Sequence, residues 1–348
     1  MLQRVKTLSF VAILSFYSQA FSDVNPAFKV LMMADPQAFR VCEEKFAQRC
    51  PANAICCDGN TCKASQVWKK RNMPVVSGIN KLINRAKLSE MPIEFGIMNG
   101  NLTESGQEYQ KRLYQKVYRY KIAVPIYEGL GNKDLMSHQG DCALLGYGSE
   151  HACAIRMINY MRARLKNYEN NVSDKSNFSY DWTAKIHQFI SNRGSLAYSF
   201  DYHGIHFVQL QNFPSYSAQY HAYNWLYEIK QSLDWLDQDL ALATQRGNKI
   251  ILSWHDGNNN ILHDEVSLKK LKAILLKYAV SAIFVGQSHR QEYTNFLDTN
   301  IPMYVTDALF FGGYYVVSFK KEMMVVDYYT TKFKNSAPML ISSREQHY

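Results

Sequence analysis

Ile93-Glu-Phe-Gly-Ile-Met-Asn-Gly-Asn-Leu-Thr-Glu104 passes abruptly from an apolar run of strand length to a polar turn built on Asn99, Gly100 and Asn101. The same transition recurs along the chain. Phe28 to Ala34 precedes Asp35-Pro36-Gln37, and Ile122 to Tyr127 precedes Gly129 and then Gly131-Asn132-Lys133-Asp134. Lys249 to Trp254 precedes His255-Asp256, and Ala282 to Val285 precedes Gly286-Gln287-Ser288-His289. Short apolar runs closed by Gly, Asn or Pro signal strands. Between them the spacing predicts helices over Val75–Leu88, Gln107–Tyr120, Trp225–Thr244 and Val266–Tyr278. Strand, turn and helix in alternation argue an α/β sheet covered on both faces, with its chemistry just past the carboxyl ends of the strands. Ala197–Phe200, Ile205–Gln211, Tyr314–Phe319 and Met323–Tyr328 read as hairpin-like strands, which makes the sheet partly antiparallel.

Composition narrows the class. At 348 residues with 47% hydrophobic, 14% aromatic and 20% charged residues, the chain can bury a core, which excludes a disordered, low-complexity or coiled-coil protein. The formal net charge is +9, falling to +7 without Arg4 and Lys6, an excess that favours anionic partners without naming one. Neither a repeat nor a nucleic-acid-binding motif is present.

The five turns, in their order and spacing, resemble the calcineurin-like metallophosphoesterase superfamily, whose blocks are Asp-x-His, Gly-Asp, Gly-Asn-His-Asp/Glu, a lone His after a strand, and Gly-His-x-His. The stretch from Gly194 to Leu210 is similar to that family's central hairpin, and the resemblance runs over residues 28 to 330. It implies a two-sheet β-sandwich flanked by helices, a four-layer α/β/β/α arrangement, holding two divalent metals bridged by a carboxylate and a hydroxide. Metals so placed turn bound water into a nucleophile and neutralise a phosphoryl group.

Position by position, Asp35, Asn132, His255 and His289 keep the family's ligand type. Gln37 replaces a His, as in some branches of the family; Asn101 stands where the bridging Asp is expected, and Gln287 replaces the first His of the last block. Lys133 takes the place of the catalytic His, with Asp134 beside it. One carboxylate and one ammonium leave these side chains with no net charge against two dications. An ammonium about 4 Å from a unit charge costs about 4 kcal/mol at an effective dielectric near 20. The expectation is therefore no metal or one divalent ion (Mn, Fe or Zn), not two. Lys133 is expected to pair with Asp35 or to meet a phosphate, carboxylate or sulfate directly. Two functions follow. One is a non-catalytic or weakly catalytic module binding a phosphate-like anion or a protein partner; the alternative is a phosphomonoesterase or phosphodiesterase with a single or atypical metal site.

The N-terminus adds a compartment. Arg4 and Lys6, an apolar run from Leu8 to Tyr17, and small residues at Ala20 and Ser22 read as a signal peptide over residues 1–22 of a secreted or periplasmic protein. No later run is long enough to span a membrane. Export makes disulfides the default for cysteines. Cys142 and Cys153 form the candidate local bridge, while Cys42, Cys50, Cys56, Cys57 and Cys62 form a cluster of undecided connectivity in a Cys-rich insertion over about 42–70. Zinc is the competing reading of that cluster, without a nearby His to complete it. Residues 23–333 are expected as a single domain and 334–348 as a polar tail. His203, His206 and His263 read as structural, and the aromatics Tyr216, Tyr220, Tyr223, Trp225, Tyr227 and Trp235 as packing. Asn101, Asn171 and Asn177 each open a glycosylation sequon.

Overall fold

The computed structural model describes residues 27–38, 64–136, 151–171, 176–186, 190–222, 225–257, 264–332 and 335–348. The expected signal peptide, most of the Cys-rich insertion and Cys142 lie outside the described residues. In chain order the elements are β1 (Phe28–Ala34), α1 (Ala64–Ala86), β2 (Ile93–Asn99), α2 (Glu108–Tyr114), β3 (Ile126–Glu128), α3 (Ala152–Asn170), β4 (Ser176–Tyr180), β5 (Thr183–Ile186), β6 (Ile190–Gly194), β7 (Tyr198–Tyr202) and β8 (Ile205–Gln209). They continue with β9 (Ala218–Ala222), β10 (Trp225–Ile229), α4 (Leu233–Gln245), β11 (Lys249–Asp256), α5 (Glu265–Lys277), β12 (Ala282–Gly286), β13 (Glu292–Asn295), β14 (Pro302–Val305), β15 (Gly313–Phe319), β16 (Met323–Lys332) and β17 (Ala337–His347).

Two sheets stack. The first has six strands in the order β17-β16-β15-β1-β2-β3, and the second has seven, β13-β14-β12-β11-β8-β7-β4. In the first, β1 runs parallel to β2 and β2 parallel to β3; in the second, β11 runs parallel to β8 and β12. These are the strands whose apolar runs stand out in the sequence, as expected for strands buried on both faces. Their inner faces interlock through aromatic side chains, with Phe95 against Phe200 and Phe207, and Phe28 against Phe207 and Phe319. A second core forms where α4 and α5 cover the outer face of the seven-stranded sheet, joining Leu236, Leu240, Leu271 and Leu275 to Leu252, Trp254 and Ile283. With α1 packed on the far side of the first sheet, the α/β/β/α layering of the expected fold is present.

A third sheet of four strands, β5-β6-β10-β9, accompanies the expected pair. Two expectations need correction. The segment Trp225–Thr244 is not one helix, because Trp225–Ile229 is β-rich sequence and pairs with both β6 and β9 before α4 begins. The polar C-terminal segment is not a tail outside the domain: Ala337–His347 forms the edge strand of the first sheet, paired antiparallel with β16. Ser342, Ser343, Arg344 and Glu345 on this strand are exposed, which fits a strand at an edge. No helix among the described residues is long and apolar enough to cross a membrane.

Candidate functional site

The carboxyl ends of β1, β2 and β3 meet those of β11 and β12, so the five turns converge on one pocket. Left-handed backbone recurs in these turns: φ is 54° at Asp35, 39° at Gln37, 49° at Asn101, 69° at Gln287 and 55° at His289. Non-glycine residues held there cost energy and mark sites where the surrounding structure imposes the turn. Gly131 is required for a different reason. A Cβ on it would lie 2.6 Å from the Asn101 nitrogen and 2.7 Å from the His255 ring, so only glycine lets these two turns touch.

Asp35 is fully buried at the centre. Its Oδ1 accepts from Asn101 Nδ2 at 3.0 Å and its Oδ2 from the Gln287 backbone N–H at 2.9 Å. The rings of His289 and His255 approach Oδ1 at 3.4 and 3.9 Å. Burial raises the Asp35 carboxyl, but the two histidines and the Gln287 N–H outweigh it and hold the group at about 2.

Asn101 is the pivot. Its Oδ1 accepts the Lys133 backbone N–H at 2.9 Å, so its NH2 must face the other way, toward Asp35 Oδ1 and Gln287 Oε1, the latter at 3.2 Å. That in turn fixes Gln287: its Oε1 also meets His255 Nε2 at 2.7 Å. His255 Nδ1 lies 2.8 Å from the Asn99 carbonyl, so both ring nitrogens of His255 face oxygen acceptors.

Lys133 does not pair with Asp35. Its ammonium lies 3.5 Å from Glu104 Oε1, both side chains being 30% exposed, and only its backbone joins the pocket network. Asp134, expected beside it in the catalytic pair, is fully buried and occupied by the turn itself. It accepts from the N–H groups of Leu102, Thr103 and Gly131 and from the Thr103 hydroxyl, at 2.7 to 3.0 Å. Burial pushes its carboxyl up to about 6 against these four donors. Asp134 is thus a positioning residue that ties the β2 turn to the β3 turn.

Gln37 is buried and its N–H donates to the Asn101 carbonyl at 2.9 Å. The Asn132 side-chain oxygen is buried and has no hydrogen-bond partner. All seven ligand positions are therefore brought to the strand ends, as the sequence implies. Cys153 is buried at the start of α3.

Several supporting residues escape a reading of motifs. Gln209 Nε2 donates to Asn99 Oδ1 at 2.8 Å, and Gln211 accepts the Leu130 N–H at 2.8 Å. The signal for them is present: one glutamine closes the β8 run and a second follows two residues beyond it. Trp68 and Arg71, on α1, pin the first turn from the other side by donating to the carbonyls of Pro36 at 2.7 Å and Phe310 at 2.6 Å. Of the expected structural histidines, His206 is fully buried between Asp201 and Asp239, at 2.6 and 2.9 Å. Asn101 and Asn177 spend their side-chain amides on Asp35 and Asp201, so neither sequon presents a free amide.

A dinuclear metal centre does not fit this donor set. The position that must supply the bridging carboxylate instead directs an amide NH2 at Asp35. Among the described residues no three His, Cys, Asp or Glu side chains form a metal-ligand group.

Stacked six- and seven-stranded sheets with these five strand-end turns define the calcineurin-like metallophosphoesterase fold, and the chain has that fold. It is similar to the purple acid phosphatase PPD1 of yellow lupin seeds at 12% identity and a TM-score of 0.51, over 92% of this chain and 54% of the plant enzyme. The chain thus spans about half the length of that phosphatase. It is also similar to GAP50, the anchor in the inner membrane complex of Plasmodium (9% identity, TM-score 0.44, 92% of this chain and 89% of that one). A third likeness is to TT1561 of Thermus thermophilus (8% identity, TM-score 0.42, 91% and 99%). At these identities the likeness is one of fold. No protein-family model matches the chain, and no curated protein matches it.

Proposed function

We propose that the chain keeps the metallophosphoesterase scaffold without its two-metal hydrolysis, and acts outside the cytoplasm as a module that binds a phosphate-like anion or a protein partner. One observation carries this reading: the Asn101 amide donates to Asp35 where the fold's metals need a shared carboxylate. Two dications would face a single formal anion, and burying uncompensated charge is among the costliest changes a protein interior can undergo. The hydrogen bonds among Asn101, Gln287 and Asp35 occupy lone pairs that metals would require. Lys133, part-exposed beside Glu104 at the pocket mouth, is the cation that an incoming phosphate-like group would meet. The basic and apolar leader supports export.

A second reading rests on Asn132. Its buried, unpartnered side-chain oxygen, with Asp35 and His289, would suit one divalent ion and a residual phosphoesterase activity.

Assays of phosphomonoesters and phosphodiesters with added Mn, Fe, Zn or Mg separate the two. The binding-module reading expects no metal-stimulated turnover in the wild type, and turnover only in a combined Asn101→Asp, Lys133→His, Gln287→His variant. Wild-type turnover that disappears in Asp35→Ala would establish the single-ion hydrolase instead.

A further inference from the structure

The two helical layers carry their charge differently. On the outer face of the seven-stranded sheet, all four lysines of α5 are paired: Lys269 with Glu265, Lys270 with Asp234, Lys272 with Asp298 and Lys277 with Asp237. On the far side of the first sheet, α1 carries five cationic side chains and no acidic one. Beside it α2, which runs on as a π turn over Gln115–Arg119, carries four cations and one acid. That acid, Glu108, is shared by Lys111, Arg112 and Arg156 at 2.8 to 3.3 Å. The two helices form one surface. Trp68 meets Tyr118 edge-on at 5.9 Å, Tyr118 donates to Asn72, and Asn80 bonds the Lys121 carbonyl and the Ala123 N–H. On this surface Lys69, Lys70, Arg85, Lys87, Lys116 and Lys121 are all exposed, and none of them is in an ion pair with a described residue.

Like charges gathered on one layer repel one another and do not favour the fold. The helix dipole rewards Arg85 near the carboxyl end of α1, but not Lys69 and Lys70 in its amino-terminal half. An anionic partner would relieve the repulsion. Five of the six exposed cations are lysines, strongly hydrated point charges that suit a diffuse anionic surface better than two-pronged pairing with a single carboxylate or phosphate. Apolar and aromatic side chains stand among them. Leu88, 92% exposed, follows Lys87, and Tyr120, 67% exposed, lies between Arg119 and Lys121. A soluble polyanion would leave Leu88 in water, whereas the headgroup region of a bilayer takes up Leu and Tyr beside lysines. We propose that the α1–α2 layer docks the protein on the surface of an anionic phospholipid bilayer, with its lysines against the headgroup phosphates and Leu88 and Tyr120 entering the interface. Such attachment is peripheral and reversible. It does not use the Asp35 pocket, and it holds whether or not that pocket binds an ion.

Cosedimentation of the full chain with vesicles of phosphatidylcholine and phosphatidylglycerol in equal parts, against vesicles of phosphatidylcholine alone, is the test. Binding to the anionic vesicles only, weakening as salt rises, is expected. A combined Lys69→Gln, Lys70→Gln, Lys116→Gln variant, changed only at exposed positions, should keep the circular dichroism of the wild type and bind about a hundredfold more weakly, at about fivefold per lysine. A combined Lys269→Gln, Lys270→Gln, Lys272→Gln variant, on α5, should bind as the wild type does. Leu88→Ser should weaken vesicle binding and leave retention on heparin unchanged. The proposal is overturned if anionic vesicles do not sediment the wild type at low salt, if the α1–α2 variant binds as the wild type does, if the two triple variants lose binding equally, or if heparin binds the wild type while vesicles do not.

Discussion

Asp35 and Glu128 are both buried carboxylates near strand ends of the first sheet, and their surroundings differ in kind. Glu128, at the end of β3, is held by donors that neutralise and saturate it. Tyr114 and Tyr160 donate to Oε1 at 2.9 and 2.7 Å, while Arg164 and Tyr168 reach Oε2 at 2.6 and 3.1 Å. Burial, reinforced by this carboxylate, keeps the three phenols well above the usual tyrosine range. None of these five residues has a positive φ, whereas five of the seven ligand positions around Asp35 do. A network that serves stability is assembled on relaxed backbone. The pocket spends backbone strain, of order 1–3 kcal/mol per residue, on turns whose side chains now mainly bond one another. Backbone strain thus distinguishes this strand-end pocket from a structural cluster.

Removing each carboxylate sharpens that contrast. Glu128→Ala leaves the Arg164 guanidinium buried without its partner and should cost about 3–5 kcal/mol in urea unfolding, the largest effect expected here. A loss below about 1 kcal/mol would mean that the cage is not what anchors α3 to β3. Asp35→Asn should cost less, and its cost should depend on pH. Because the folded-state pKa of Asp35 is lowered from 3.8 to about 2, the stability it contributes is present above about pH 4 and lost as pH falls toward 2. The gap between wild type and Asp35→Asn should therefore shrink by about 2 kcal/mol over that window. Asp134 has the opposite sign: its pKa is raised to about 6, so its contribution is present below about pH 4 and fades as pH rises through 6. A gap between wild type and Asp35→Asn that stays flat from pH 2 to 5 would contradict the role given to the histidines. The smallest effect belongs to Lys133→Ala. A part-exposed pair with Glu104 is worth within about 0.5 kcal/mol, whereas a buried pair with Asp35 would cost several.

Much of the pocket is legible in the sequence because apolar runs closed by Gly, Asn or Asp are local signals. Phe28–Ala34 is β1 as read, and the expected ends at Met98, Trp254 and Val285 fall within two residues of the observed ones. What depends on distant partners is not legible. Trp225–Ile229 becomes a strand because β6 and β9 accept it, and Ala337–His347 because β16 offers an edge. Helix α3 does carry a signal, with Ala154, Ile158, Met161 and Leu165 at helical spacing and buried, but a reading centred on Cys142 and Cys153 passes over it. The identities of the seven ligand positions follow from motif order. The direction of the Asn101 amide does not, since it is set by the Lys133 N–H on another turn, and neither does the choice of Glu104 as the partner of Lys133.

Metal content after dialysis bears most directly on the central claim that a hydrogen-bonded amide network has replaced the dinuclear centre. Purified wild-type protein and the Asn101→Asp, Lys133→His, Gln287→His variant should be incubated with Mn, Fe or Zn, dialysed, and measured by plasma mass spectrometry. The account predicts less than one bound ion per wild-type chain and a gain in the restored variant. Two tightly bound ions per wild-type chain would contradict it.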